Sequence, residues 1–64
     1  MNETLRKTIE IIVKRLNTNH KGMINAHNEE LAAMFKGACI VLKDMLLNEF
    51  NIRVKLVNNE YVIV

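Results

Sequence analysis

Residues 52–64 read IRVKLVNNEYVIV, and in this stretch the apolar side chains change from a helical spacing to alternation. Alternation with a period of two is typical of a strand that buries one face. Asn58 and Asn59 interrupt the pattern, and asparagine tolerates the positive φ that a two-residue type I′ turn requires. The stretch therefore predicts an antiparallel β-hairpin with its turn at Asn58-Asn59.

A turn at these two residues determines which side chains lie opposite each other. The predicted cross-strand pairs are Val57 with Glu60, Leu56 with Tyr61, Lys55 with Val62, Val54 with Ile63 and Arg53 with Val64. The Leu56–Tyr61 and Val54–Ile63 pairs then share one face. We expect this face to pack on the helices, with Lys55 on the other side.

Before the hairpin, residues 25–50 predict a long helix, because apolar side chains recur there with the helical period. The recurring residues are Leu31, Met34, Phe35, Ala38, Leu42, Met45 and Leu46. Asn25 or Asn28 would cap its start. Gly37 lies inside this helix, where glycine costs up to about 1 kcal/mol relative to alanine. We interpret Gly37 as the point where a neighbouring helix crosses closely.

Residues 2–16 predict the first helix, with Asn2 or Thr4 as its cap. Its apolar face consists of Leu5, Ile9, Ile12, Val13 and Leu16. Residues 17–22 read NTNHKG, a run of turn-forming residues that predicts a loop as far as about residue 24. The predicted fold class is α+β, a two-helix hairpin followed by a C-terminal antiparallel β-hairpin (ααββ), in a single domain over residues 1–64.

Composition is that of an ordinary globular domain, with 50% hydrophobic and 25% charged residues. A chain of 64 residues has a small core, and such domains often need a disulfide, a metal or a partner subunit. Cys39 is the single cysteine, so an intrachain disulfide is excluded and self-association is the expected stabiliser. No apolar run approaches the roughly 20 residues needed to span a bilayer, and the N-terminal residues have no signal-peptide layout. We therefore expect a cytoplasmic protein without a membrane partner. The abundance of Asn, Ile and Lys indicates an AT-rich bacterial or phage genome.

Candidate metal ligands are limited to His20, His27 and Cys39, and no two of them are closely paired as zinc ligands usually are. We interpret Cys39 as a buried apolar residue and both histidines as solvent-exposed. The two glycines are isolated, so no phosphate-binding loop is present. The sequence therefore predicts a non-enzymatic protein with no catalytic, cofactor-binding or metal-binding residues.

Basic residues suggest an alternative function, a small DNA-associated regulator. The candidate nucleic-acid contacts are Lys7, Lys14, Arg15, Arg53 and Lys55. Ala33 and Gly37 have the spacing of a helix-turn-helix, but that motif needs an apolar residue where this chain has Lys43. The net charge of +2 is also small for a nucleic-acid binder. Nucleic-acid binding is therefore the less favoured hypothesis.

The leading hypothesis comes from apolar residues on the charged side of the second helix. On a wheel with about 100° per residue, the core side runs through Leu31, Phe35, Ala38 and Leu42. The opposite side carries a heptad-like seam of Ala33, Lys36, Ile40, Lys43 and Leu47. Isolated apolar residues are common on protein surfaces, and the hairpin could also cover this predicted seam. The remaining explanation is that a second chain covers it. We favour a small regulatory or adaptor protein that acts through protein–protein contacts as a homodimer, with the free edges of both strands open to a partner.

Overall fold

The computed structural model describes residues 2–64 and confirms the ααββ fold. Helix α1 spans Glu3–Ile24 and helix α2 spans Glu29–Phe50, followed by strands β1 (Val54–Val57) and β2 (Glu60–Ile63). The strands form a two-stranded antiparallel sheet. Because α2 folds back along α1, the molecule is elongated and measures 41 × 21 × 16 Å.

Asparagine side chains cap the start of both helices. Asn2 Oδ1 accepts a hydrogen bond from the Leu5 N–H at 2.7 Å, and Asn28 Oδ1 accepts one from the Leu31 N–H at 2.8 Å. Each bond satisfies one of the N–H groups that a helix leaves unpaired at its first turn. Asn25, the other candidate cap for α2, instead terminates α1, where its N–H donates to the Lys21 carbonyl.

The predicted loop at residues 17–22 is wrong, because α1 continues through this segment to Ile24. Thr18 Oγ1 and Asn19 Nδ2 donate hydrogen bonds to carbonyls four residues earlier in the same helix, at 3.0 and 2.8 Å. Asn17 and His20 do not form a turn; both remain helical and contact Tyr61 of the hairpin. Local turn preferences amount to fractions of a kcal/mol per residue, so such contacts override them.

The sequence predicts a close approach of the two helices at Gly37, and this prediction is wrong. The close approach occurs at Gly22. A Cβ atom added to Gly22 would lie 2.7 Å from Cε1 of the Phe35 ring. The missing side chain therefore lets the Phe35 ring lie directly on the α1 backbone. At Gly37, an added Cβ would meet no neighbouring atom of residues 2–64 within 4 Å.

The core lies between the helices, where α1 contributes most of the buried side chains. The buried apolar residues are Ile9, Ile12, Leu16, Cys39 and Leu46. Burial of Cys39 confirms its interpretation as a core residue, and its Sγ lies 3.8 Å from the Leu16 carbonyl oxygen. The buried side of α2 is therefore the one that carries Cys39 and Leu46. This side lies roughly 60° around the helix from the core side that the sequence predicted.

Helix α2 ends at a left-handed residue, Asn51, with φ of 55°. The Ile52 N–H donates to the Leu46 carbonyl at 2.9 Å, which satisfies a terminal acceptor of the helix and turns the chain. The hairpin then has the predicted register throughout its strands. Asn58 and Asn59 have φ values of 54° and 63°, as the predicted turn requires.

Only part of the predicted inner face of the hairpin is covered. Val54 and Tyr61 pack against the core and are half-buried, and Lys55 is exposed as expected. Their cross-strand neighbours Leu56 and Ile63 remain 47% and 50% exposed, so the prediction that the whole face packs on the helices is wrong. The hairpin therefore contacts the helices mainly through Val54 and Tyr61.

Candidate protein-binding surfaces

Within residues 2–64, the side-chain hydrogen bonds between the hairpin and α1 come from a single amide, that of Asn17. Asn17 Nδ2 donates to the Tyr61 carbonyl at 3.0 Å, and Asn17 Oδ1 accepts from the Tyr61 N–H at 2.6 Å. Tyr61 and Leu56 form a non-hydrogen-bonded pair, so the backbone groups of Tyr61 point away from β1. The Asn17 amide thus occupies the place that a third strand would take at the β2 edge.

This contact corrects the expectation that both strand edges are open. The β2 edge is occupied at Tyr61 by the Asn17 amide. The β1 edge has no neighbouring strand within residues 2–64, and its outward-pointing backbone groups belong to Val54 and Leu56. An edge strand with unpaired backbone groups can accept a further strand, and only the β1 edge has them along its length.

His20 lies in the interior, so its expected solvent exposure is wrong. The residue is buried, and neither ring nitrogen has a hydrogen-bond partner within residues 2–64. Its ring meets the Tyr61 ring edge-on, with centroids 5.2 Å apart. Ile9, Leu16 and His20 lie on the buried face of α1. His20 follows Leu16 by four residues and so continues the helical period, which is the sequence signal that the helix extends past residue 16. His27 is exposed, as predicted.

The predicted seam on α2 is only partly reached by the hairpin. Ala33 and Lys36 are exposed, and Ile40 and Leu47 remain 48% and 39% exposed. Lys43 is half-buried, with its ammonium 5.3 Å from the centre of the Tyr61 ring, within cation–π distance.

Leu47 borders the groove between α2 and the base of the hairpin, which Ile52 and Val54 also line. The structure therefore leaves Ile40, and much of Leu47, available to a second molecule.

A second apolar surface of α2 was missed, because four of its residues were counted among the helical apolar repeat that was expected to form the core, and Val41 was not considered. This uncharged stripe consists of Leu31, Met34, Ala38, Val41 and Met45. Met34 and Val41 are 62% and 60% exposed, and the other three are half-buried. The spacings of three, four, three and four residues place all five on one side of the helix.

The candidate nucleic-acid contacts are all exposed but do not form one surface. Lys7 and Lys14 border a shallow groove with Glu10, and Lys14 lines a second groove with Glu10 and Glu60. Lys21, which the sequence analysis did not include, also lines this second groove.

The hairpin residues of the same set lie elsewhere. Arg53 lies in the groove between α2 and the hairpin, beside Asp44. Acidic side chains therefore lie next to the basic ones on both elements.

The chemistry of Cys39 is that of a protected thiol. Burial raises the pKa of the Cys39 thiol above its ordinary value, and nearby Lys43 lowers it by a smaller amount. A raised pKa keeps the sulfur protonated at neutral pH and therefore weakly nucleophilic. Within residues 2–64, no three His, Cys, Asp or Glu side chains come together in a group that could hold a metal ion.

Comparison with known protein families, curated proteins and solved structures found no match to this chain. In the part of the chain that the structure describes, neither helix combines the length and apolar character needed to cross a membrane.

Proposed function

We propose that this protein is a small non-enzymatic regulatory or adaptor protein that acts through protein–protein contacts as a homodimer. The observation that carries the proposal is the exposure of its apolar side chains. Across α2 and the hairpin, more large hydrophobic residues are exposed than are buried in the core. Extended apolar surface on a soluble chain is typical of protein-interaction sites.

The distribution of this surface supports binding rather than catalysis. Most of the exposed apolar side chains lie on two faces of α2 and on both strands of the hairpin, and others lie on α1. Helix faces and strand edges are the surfaces through which proteins commonly recognise each other. The single thiol is buried with a raised pKa, and the histidines lie apart, one buried and one exposed.

The predicted seam is one candidate contact surface of such a dimer. Complete burial of an Ile or Leu side chain contributes roughly 1.5–3 kcal/mol, and Ile40 and Leu47 are both available for this. Because Lys43 is directed to the hairpin, these two residues would provide most of the contact. We expect Lys substitutions at both positions to weaken self-association if the seam is the interface.

DNA association has less support, because Glu10 and Glu60 lie among the basic residues of the α1 groove. A DNA-binding surface would produce binding that weakens steeply as salt concentration rises. Absence of binding to duplex DNA at low salt would exclude this alternative.

Sedimentation equilibrium from low to high micromolar concentration tests the homodimer directly. We expect the apparent mass to rise from that of one chain to that of two. A melting temperature that increases with protein concentration would agree, since association stabilises the folded chain by mass action. A monomer throughout this range would contradict the proposal.

A further inference from the structure

We propose that the open edge of β1 binds an extended segment of a partner protein in which acidic and apolar residues alternate. The inference rests on the protein–protein contacts proposed above and names the kind of partner. Two observations support it: unpaired backbone groups along this strand edge, and cations at the same edge that have no ion pair.

The β1 edge has backbone groups that are free to bind a further strand. The Val64 N–H donates to the Arg53 carbonyl at 2.9 Å, so the ladder bonds of β1 fall at Arg53 and at every second residue after it. The N–H and C=O groups of Val54 and Leu56 therefore point away from β2, and the hydrogen bonds within residues 2–64 leave them unpaired. An extended peptide binds such an edge through main-chain hydrogen bonds.

A second copy of this chain is a poor occupant of the β1 edge. In an antiparallel pair of two β1 strands, the register with the most hydrogen bonds places the two Lys55 side chains directly opposite each other, which is destabilising. A shift in one direction brings Lys55 against Arg53 of the other copy. A shift in the other direction leaves only Leu56 to exchange hydrogen bonds, because Asn58 leaves the extended conformation with φ of 54°. The β2 edge of a second copy is occupied by Asn17.

Two cations at this edge define the charge of the partner. Lys55 is exposed on the outer face of the hairpin, and Arg53 lies at the start of the strand, beside Asp44 but without an ion pair to it. Glu60, the acidic residue of the hairpin, lies on β2, one strand away from the edge. Acidic side chains on the outer face of an added strand would therefore be attracted to Lys55 and Arg53.

The inner side of the same edge favours apolar side chains. Leu56 is 47% exposed on this face, and Val54 is half-buried. Val54 also lines the groove between α2 and the hairpin, where Asp44 would repel a further acidic side chain. Successive side chains of a strand point to opposite faces, so acidic and apolar residues should alternate in the partner.

Amide hydrogen exchange tests the added strand directly. The probe is an acetylated and amidated peptide of alternating valine and glutamate that is slightly longer than β1. We expect exchange at the Val54 and Leu56 amides to slow by about tenfold when the peptide is added, because both N–H groups gain an acceptor. Ile63 is the matched control, since its N–H points outward from the β2 edge and its exchange should not change.

Backbone methylation of the peptide separates strand addition from ionic attraction. Alternate N–H groups of an added strand face β1, so they belong either to the valines or to the glutamates. N-methylation of one set should abolish binding, and N-methylation of the other set should preserve it. Equal effects of the two substitutions would overturn the inference.

Charge reversal tests the chemistry of the partner. Lys55→Glu should weaken binding of the glutamate peptide by about fivefold, as expected for an exposed ion pair. A peptide with lysine in place of glutamate should restore the affinity of this variant. The control is Lys7→Glu, an equal change of net charge at an exposed residue of α1, which should have little effect. Unchanged binding in Lys55→Glu would contradict the acidic partner.

The outcomes separate this inference from the homodimer. Protection of Val54 and Leu56 without peptide would show that a second copy occupies the edge and would overturn the inference. Unchanged exchange at millimolar peptide would overturn it and leave the homodimer standing. A wild-type chain that is monomeric at every concentration, but in which the peptide protects both amides, would overturn the homodimer alone.

Discussion

Asn17 holds the backbone of Tyr61 with both atoms of its amide, donating to the carbonyl at 3.0 Å and accepting from the N–H at 2.6 Å. The two residues are 44 positions apart, and the contact joins α1 to β2. An isolated two-stranded hairpin is at best marginally stable in water. The Asn17–Tyr61 contact therefore secures an element that would otherwise be weakly held.

Replacing Asn17 with alanine should release the hairpin. We expect a loss of about 1–3 kcal/mol in the free energy of unfolding, because two part-buried backbone groups of Tyr61 lose their partners. Hydrogen exchange should accelerate at the Tyr61 amide. Asn19→Ala is the matched control, since Asn19 bonds only to a carbonyl of its own helix, and its effect should be small. Equal protection of Tyr61 in all three proteins would contradict this role.

His20→Leu should leave the protein as stable or make it more stable. The buried imidazole has two nitrogens without hydrogen-bond partners in residues 2–64, and an unpaired buried polar group costs about 1–3 kcal/mol. Leucine removes this cost and keeps most of the contact with Leu16 and Tyr61. Urea unfolding measures the change, with His27→Leu as the exposed control. A clear loss of stability in His20→Leu alone would show that the imidazole has a favourable polar role.

The two glycines should respond oppositely to alanine. Gly22→Ala would place a methyl group 2.7 Å from the Phe35 ring, so the ring must move, and overpacking of this kind costs about 1–3 kcal/mol. Gly37→Ala meets no such neighbour and should stabilise the monomer by up to about 1 kcal/mol. Thermal unfolding at low protein concentration measures both. A stabilised Gly22→Ala variant would show that Phe35 adjusts without strain.

Cys39 should react slowly with thiol reagents in the native protein and rapidly after denaturation. Its thiol is buried and its pKa is raised, so little thiolate is available. Cys39→Ala should lower the stability modestly, by about 1 kcal/mol, because one sulfur atom leaves the core. Fast native labelling would contradict the burial of the side chain.

The same pKa shift predicts a pH dependence above neutrality. The unfolded chain loses the thiol proton at a lower pH than the native chain, so protons are bound more tightly in the native state. The contribution of this thiol to the free energy of unfolding should be fully present below the ordinary pKa of cysteine. It should decline as the pH rises from that value towards the raised pKa of the native state. Urea unfolding of the wild type and of Cys39→Ala across this pH range isolates the contribution of the thiol, because all other groups that titrate at alkaline pH are present in both proteins.

Much of the fold was predictable because it depends on local chemistry. Asn58 and Asn59 accept positive φ, and a two-residue turn of this kind determines the register of the strands on either side. Asn2 and Asn28 precede the helices as caps. Each of these features involves residues close together in the chain, so the sequence contains the whole interaction.

Tertiary structure decided the features that depend on residues far apart. Helix α1 passes through a turn-forming segment because Asn17 and His20 contact Tyr61, and no local pattern shows a partner 44 residues away. Helix α2 carries apolar residues on several sides, so its periodicity permits more than one core face. The packing of Cys39 and Leu46 against α1 selects one of them, and with it the stripe that stays exposed. Local preferences differ by fractions of a kcal/mol, and burial of side chains contributes several times more.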